Sequence, residues 1–219
     1  MTQTDYADNY RALVNRIEQL GKDYKKKIKL VAVSKNQDYK KVLMLSKLGQ
    51  RDFGENYVDE AYEKINSVSD SSIRWHFIGR IQSNKINKIC NLFDWVQTIS
   101  SEKHLNKIND ACKTINKVMN ICIQINIDHE DSKSGIQIED YEKLSKKARA
   151  LECVKLRGIM TIPKVGISTD DAFAKMNTLY VKHDYLDTLS MGMSSDFLSA
   201  IENGANMLRI GQEIFGKRT

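Results

Sequence analysis

Short apolar runs of strand length recur along the chain. They are Leu30-Val31-Ala32-Val33, Trp75-His76-Phe77-Ile78, Trp95-Val96, Ile121 to Ile127, Leu156 to Ile162, Leu186 to Met191 and Met207-Leu208-Arg209-Ile210. A weaker strand is predicted at Arg51-Asp52-Phe53. Between them apolar residues step by three and four, which gathers them on one helical face. Leu105, Ile108, Cys112 and Ile115 form one stripe; Tyr141, Leu144, Ala148 and Leu151 form a second; Phe173, Met176 and Tyr180 form a third. Ser168, with Asp171 three residues on, resembles a capping signal before the third stripe. All three stripes read as helix faces packed on a core.

Alternation of strand and helix implies a parallel sheet with crossover helices. About eight such units point to a closed (β/α)8 TIM barrel, compact because ~200 residues is the lower limit of that fold. A doubly wound open sheet is the second architecture. The Ile121 strand favours closure: Ile121, Ile123, Ile125 and Ile127 face one way, toward outer helices, and Cys122, Gln124 and Asn126 face the other, into a barrel. An open sheet covered on both faces would be more uniformly apolar. The chain has one proline, Pro163, and no Gly/Ser-rich linker, so residues 1–219 are expected to form a single domain.

Composition narrows the class. With 41% hydrophobic and 28% charged residues the chain reads as a soluble globular protein rather than a disordered one. No apolar run approaches the ~18 residues of a membrane span. The polar start, with Asp5 and Asp8, predicts no secretory leader. Cys90, Cys112, Cys122 and Cys153 stand singly, as expected of a reduced, cytoplasmic protein. The net charge of +6 raises nucleic acid as a partner, but Lys25, Lys26, Lys27 and Lys29 lack interleaved aromatics and read as solvated surface. Attraction of anionic small molecules fits the same charge.

Polar or glycine-bearing clusters follow directly on the apolar runs: Ser34-Lys35, Gly54-Glu55-Asn56, Gly79 leading into Gln82-Ser83-Asn84-Lys85, Asn126, Ser190 to Ser194, and Gly211. In a parallel barrel these strand ends share the C-terminal mouth, where such folds build their sites. Lys35 ends an apolar strand, so partial desolvation would favour its neutral, nucleophilic amine, as a Schiff-base lysine requires. At Arg209-Ile210-Gly211, glycine would let the backbone approach a ligand, and the N–H groups of a following helix would bind phosphate, with the Ser194 hydroxyl as a further donor. No GxxxxGK[ST], HExxH, EF-hand or GxSxG spacing occurs. His76, His104, His129 and His183 are scattered, and His76, inside a strand, reads as a hydrogen-bonded core residue.

Together these residues resemble the pyridoxal phosphate homeostasis proteins, a family related to the N-terminal domain of alanine racemase. The resemblance rests on Val31 to Lys35, Phe53-Gly54-Glu55-Asn56-Tyr57, Trp75 to Gly79 with Gln82 to Lys85, and Asn126 with Ser132-Lys133-Ser134-Gly135. Leu156 to Met160, Leu189 to Ser194, Arg209-Ile210-Gly211 and Ile214-Phe215-Gly216 continue it in the same order to the C-terminus. It implies a fold-type III barrel that binds pyridoxal 5′-phosphate. Lys35 matches the lysine that forms an aldimine with the cofactor, and Ser194, Gly211 and Gln212 match the phosphate cradle. Asn56 matches a residue beside the cofactor, and Arg209 the arginine that faces the pyridine nitrogen. Asn36 departs from the usual threonine, and Gln212-Glu213 from smaller residues; backbone N–H groups would still serve the phosphate.

A guanidinium at the ring nitrogen disfavours its protonation and weakens the ring as an electron sink. Related racemases also draw a tyrosine from a C-terminal β-domain, for which a chain ending at Thr219 is expected to have no room. The resemblance therefore implies a non-catalytic vitamin B6 carrier, monomeric or weakly dimeric, with apo forms of pyridoxal phosphate enzymes as recipients. An amino-acid racemase using Lys35 as one base is the alternative. No metal, membrane or nucleic-acid partner is expected.

Overall fold

The computed structural model describes residues 3–128, 134–164 and 169–216. Eight strands alternate with helices: β1 (Lys29–Val33), β2 (Asp52–Glu55), β3 (Arg74–Phe77), β4 (Trp95–Ile99), β5 (Met119–Gln124), β6 (Val154–Met160), β7 (Thr188–Ser190) and β8 (Met207–Ile210). Each pairs in parallel with the next, and β8 closes on β1, with Lys29 beside Met207 and Ala32 beside Ile210. The barrel is closed, not an open sheet.

Helices α2 (Tyr39–Lys47), α3 (Val58–Val68), α4 (Ile86–Leu92), α5 (Glu102–Thr114), α6 (Tyr141–Arg149), α7 (Thr169–Val181) and α8 (Phe197–Glu202) carry the chain between strands, and α9 (Gln212–Phe215) follows β8. The stripes do pack inward: Leu105, Ile108 and Cys112 on α5, Tyr141, Leu144 and Ala148 on α6, and Phe173 and Met176 on α7 are buried. Ile115 is the C-cap of α5 and 38% exposed, so that stripe stops one step earlier than its spacing suggests. Ser168 lies outside the described residues, as do His129, Ser132, Lys133 and Thr219.

Two hydrophobic clusters form, one on each side of the strands. Ile121, Ile123, Ile125 and Ile127 join the large cluster between barrel and helices, whereas Cys122 joins Val31, Trp95, Met160 and Met207 in a smaller one inside the barrel. The alternation along β5 was therefore a true inside–outside pattern. Two strands run further than their apolar residues. Gly54 and Glu55 belong to β2, and β4 continues through Gln97 and Thr98 to Ile99. Gln97 bonds to His76 and Ser190 inside the barrel, while Glu55 and Thr98 bond to Lys64 and to Gly79 O beyond the strands.

An N-terminal helix, α1 (Gln3–Asp23), was not expected. Tyr6, Tyr10, Leu13 and Ile17 are buried at helical spacing. Tyr6 packs its ring 6.5 Å from that of Phe215, and Asn9 Nδ2 donates to Ile214 O at 3.4 Å. The helix thus backs α9, the short turn that closes one side of the barrel mouth.

Candidate functional site

A cavity of about 650 Å³ opens at the C-terminal mouth of the barrel. Its lining includes Lys35, Asn56, Ser194, Arg209, Gly211 and Gln212, together with Val33, Ile78, Ile162, Met193 and Phe215. The six residues singled out in the sequence, which lie on four different strand ends, are therefore brought to one place. The neighbouring cluster Gln82 to Lys85 is not part of that lining; Lys85 instead pairs with Asp59 at 2.8 Å.

Lys35 is half-buried, and the backbone on either side of it is tied down. Ser34 N donates to Gly54 O at 3.0 Å, joining β1 to β2. Ser34 Oγ donates to Glu55 Oε1 at 2.6 Å, and Lys64 Nζ donates to Ser34 O at 2.7 Å. On the other side Asn36 N donates to Glu60 Oε1 at 2.5 Å, with Asn36 in the left-handed region at φ 59°. Lys64 also reaches Glu55 at 2.6 Å and Glu60 at 3.0 Å. One buried ammonium thus links both carboxylates that hold the residues flanking Lys35. Burial pushes the Glu55 carboxyl above its ordinary value, which Lys64 and Ser34 offset only in part.

Arg209 projects from β8 into the barrel. Its Nη1 donates to Ser190 Oγ and its Nη2 to Thr161 O, both at 2.7 Å. Burial pushes the guanidinium down to about 10, still charged at neutral pH. Behind it runs a buried string: Ser190 Oγ donates to Gln97 Oε1 at 2.6 Å, and Gln97 Nε2 meets His76 Nδ1 at 2.9 Å. A Gln97 amide donor makes Nδ1 the acceptor, so the His76 proton sits on Nε2, which meets Asp52 Oδ1 at 2.9 Å. Burial lowers His76 below its ordinary value, which keeps the ring neutral. His76 is thus the hydrogen-bonded core residue that its place in a strand suggested.

The wall next to Lys35 and Arg209 is built by the β8–α9 turn. A Cβ on Gly211 would lie 2.8 Å from Val33 O, so only glycine lets β8 pass this close to β1. Gly211 is the N-cap of α9, whose first turn leaves N–H groups without intrahelical partners. Glu213 N donates to Ser194 Oγ at 3.3 Å, bringing the Ser194 loop beside those amides, while Glu213 itself is exposed.

The family description "Alanine racemase, N-terminal domain" matches residues 9–219. The chain is 42% identical over 205 residues to the "Pyridoxal phosphate homeostasis protein" of Pasteurella multocida, covering 87% of each protein. It is also 39% identical over 204 residues to the Escherichia coli K12 protein of the same name, covering 87% of this chain and 86% of that one. The chain belongs to the pyridoxal phosphate homeostasis protein family. Among solved structures, PipY of Synechococcus elongatus with PLP bound superposes with a TM-score of 0.86 at 28% identity, over 96% of this chain and 100% of that one. Alanine racemase of Clostridium difficile shares the fold, with a TM-score of 0.74 at 17% identity over 96% of this chain and 57% of that one.

Two residues that support the site of this homeostasis-family barrel, Lys64 and Gln97, are not among those singled out in the sequence. Lys64 sits on α3, and only its spacing of nine from Glu55 hints at the pair. Gln97 and Ser190 lie on different strands, 93 residues apart. Of the buried side-chain oxygens and nitrogens without a partner among the described residues, Asn56 Oδ1 lies in the cavity lining itself.

Proposed function

We propose that this chain holds pyridoxal 5′-phosphate in the mouth cavity, with Lys35 as its covalent anchor, and serves as a carrier of the cofactor. When bound, the cofactor supplies an aldehyde to an amine and an aromatic ring with one basic nitrogen. The residues fit such a group. Lys35 offers the amine, and the Gly211–Gln212 amides with Ser194 offer donors to a phosphate. Arg209 offers a fixed positive charge, and the partnerless Asn56 Oδ1 accepts one hydrogen bond. The convergence of Lys35, Arg209 and the β8–α9 turn on one cavity carries this reading, and the PLP-bound PipY relative supports it.

Carrier rather than racemase is the preferred role because of how Arg209 is held. Its two bonds to Ser190 and Thr161 keep the guanidinium in place, and a cation beside the ring nitrogen opposes ring protonation. Arg209 held in this way would make a cofactor ring set against it a poor electron sink, which favours holding the cofactor over turnover. Recipients in this reading are apo-enzymes that need the cofactor. The discriminating experiment loads the chain with cofactor, removes the excess, and offers it in parallel to an apo-enzyme and to L-alanine. Activation of the apo-enzyme with unchanged optical rotation is expected; loss of rotation that Lys35→Ala abolishes would establish the racemase instead.

A further inference from the structure

Lys35 sits in a tight turn just past the end of β1. Gln37 N donates back to Ser34 O at 3.0 Å, which makes Lys35 the second and Asn36 the third residue of that turn. Asn36 has φ 59°, in the left-handed region that residues with side chains seldom occupy. We propose that Glu60, on α3, is the positioning residue of the anchor: its carboxylate holds this turn in shape and so aims the Lys35 amine into the cavity. This role rests on Lys35 being the cofactor's anchor, and it says what tunes the strength of that attachment.

A non-glycine residue at positive φ persists only where its surroundings hold it. Glu60 supplies that hold: its Oε1 accepts from Asn36 N at 2.5 Å, a charge-assisted bond. The same oxygen accepts from Lys64 Nζ at 3.0 Å, one helical turn on. Lys64 Nζ in turn donates at 2.7 Å to Ser34 O, the carbonyl that closes the turn. Glu60 and Lys64 therefore grip the turn on both sides of Lys35. Lys64 is buried and further fixed by Glu55 at 2.6 Å, so Glu60 is braced against a rigid post. Glu60 is not part of the cavity lining and acts through the turn alone.

Direction matters because attachment is a directed reaction. The neutral Lys35 nitrogen adds to an aldehyde carbon; a C=N double bond forms, and the aldehyde oxygen leaves as water with both amine hydrogens. No oxidant or further reactant is needed. A phosphate held by Ser194 and the β8–α9 turn sets where that aldehyde lies, so the amine must meet it from one side. Without the Glu60 tie, Lys35 sweeps a wider arc and attachment weakens. The donors offered to the phosphate stand on other loops and keep their places.

The test compares pyridoxal 5′-phosphate with pyridoxine 5′-phosphate, whose alcohol cannot form the C=N bond. Glu60→Ala keeps the buried Lys64–Glu55 pair, so the variant is expected to fold. Its uptake of the aldehyde, followed by absorbance, should weaken about tenfold, the loss of one charge-assisted hydrogen bond. Its binding of the alcohol, followed by calorimetry, should match wild type. Glu60→Gln, which keeps an acceptor oxygen for Asn36 N, should recover most of the aldehyde uptake. Asn36→Gly added to Glu60→Ala should do the same, because glycine takes positive φ freely. Undiminished aldehyde uptake by Glu60→Ala, equal weakening of both ligands, or failure of both rescuing changes would overturn the role of Glu60 and leave the anchor standing. A wild-type chain that binds the alcohol but attaches no aldehyde would refute the anchor, and the role of Glu60 with it.

Discussion

Replacing Lys64 by methionine tests the buried support of the anchor lysine directly. Methionine keeps the length and apolar stem but removes the ammonium, leaving Glu55 fully buried beside Ser34 with no cation. Removing one member of a buried ion pair costs about 3–5 kcal/mol, because the other charge loses its compensation. Glu55 can partly escape by taking up a proton, so the low end, about 3 kcal/mol, is expected. At about 2–4 °C per kcal/mol for a domain of this size, the melting temperature should fall by roughly 6–12 °C at neutral pH. The pH dependence has a defined sign. A raised folded-state pKa for Glu55 means that its contribution is fully present below the ordinary glutamate range and is lost as pH rises through the raised value. The Lys64→Met penalty should therefore shrink toward pH 5 and grow toward pH 8. Adding Glu55→Gln should restore part of the loss, since the uncompensated charge is gone. Thermal melts of the two single variants and the double variant, read by circular dichroism at several pH values, decide it. A Lys64→Met melt within a degree of wild type, or a double variant with simply additive losses, would refute the reasoning.

Other changes probe the remaining walls. Gly211→Ala places a methyl 2.8 Å from Val33 O; overpacking of about 1–3 kcal/mol and weaker cofactor retention are expected in equilibrium dialysis. Gln97→Leu strands His76 Nδ1 and leaves Ser190 Oγ with only the Arg209 guanidinium, so a loss of about 1–3 kcal/mol for the stranded ring nitrogen is expected in urea unfolding. Arg209→Glu sets a carboxylate where the guanidinium stands, which should favour ring protonation and change the absorption spectrum of bound cofactor; an unchanged spectrum with retained binding would place Arg209 away from the ring. Burial raises the Asp52 carboxyl, but Arg74 and His76 outweigh it and hold it well below the ordinary aspartate value. Its contribution is therefore present above the ordinary value and lost as pH falls, and Asp52→Asn should flatten the acid side of the stability profile.

The barrel was legible because its strands are short apolar runs and its helices carry clean stripes. β5 even declared which side faced inward, through alternating isoleucine and polar residues. Legibility failed where polar side chains serve the interior. Gln97 and Thr98 made β4 look two residues long, because Gln97 finds its partners on other strands and Thr98 donates to Gly79 O in the turn after β3. The N-terminal helix was hidden by its polar composition, although Tyr6, Tyr10, Leu13 and Ile17 hold helical spacing. Lys35, Ser194 and Arg209 could be picked out because each follows or ends an apolar strand. The pairing of Glu55 with Lys64 could not. It joins residues from a strand and a helix, and only the fold brings them together.

Lys35, and no other lysine, is proposed to anchor the cofactor. Borohydride reduction of the loaded protein, followed by peptide mass spectrometry, decides this, with Lys35→Ala as the control. One modified peptide, carrying the reduced cofactor on Lys35, is expected, and it should disappear in the variant. Modification at Lys25 to Lys29 or another surface lysine, equal in both proteins, would contradict it.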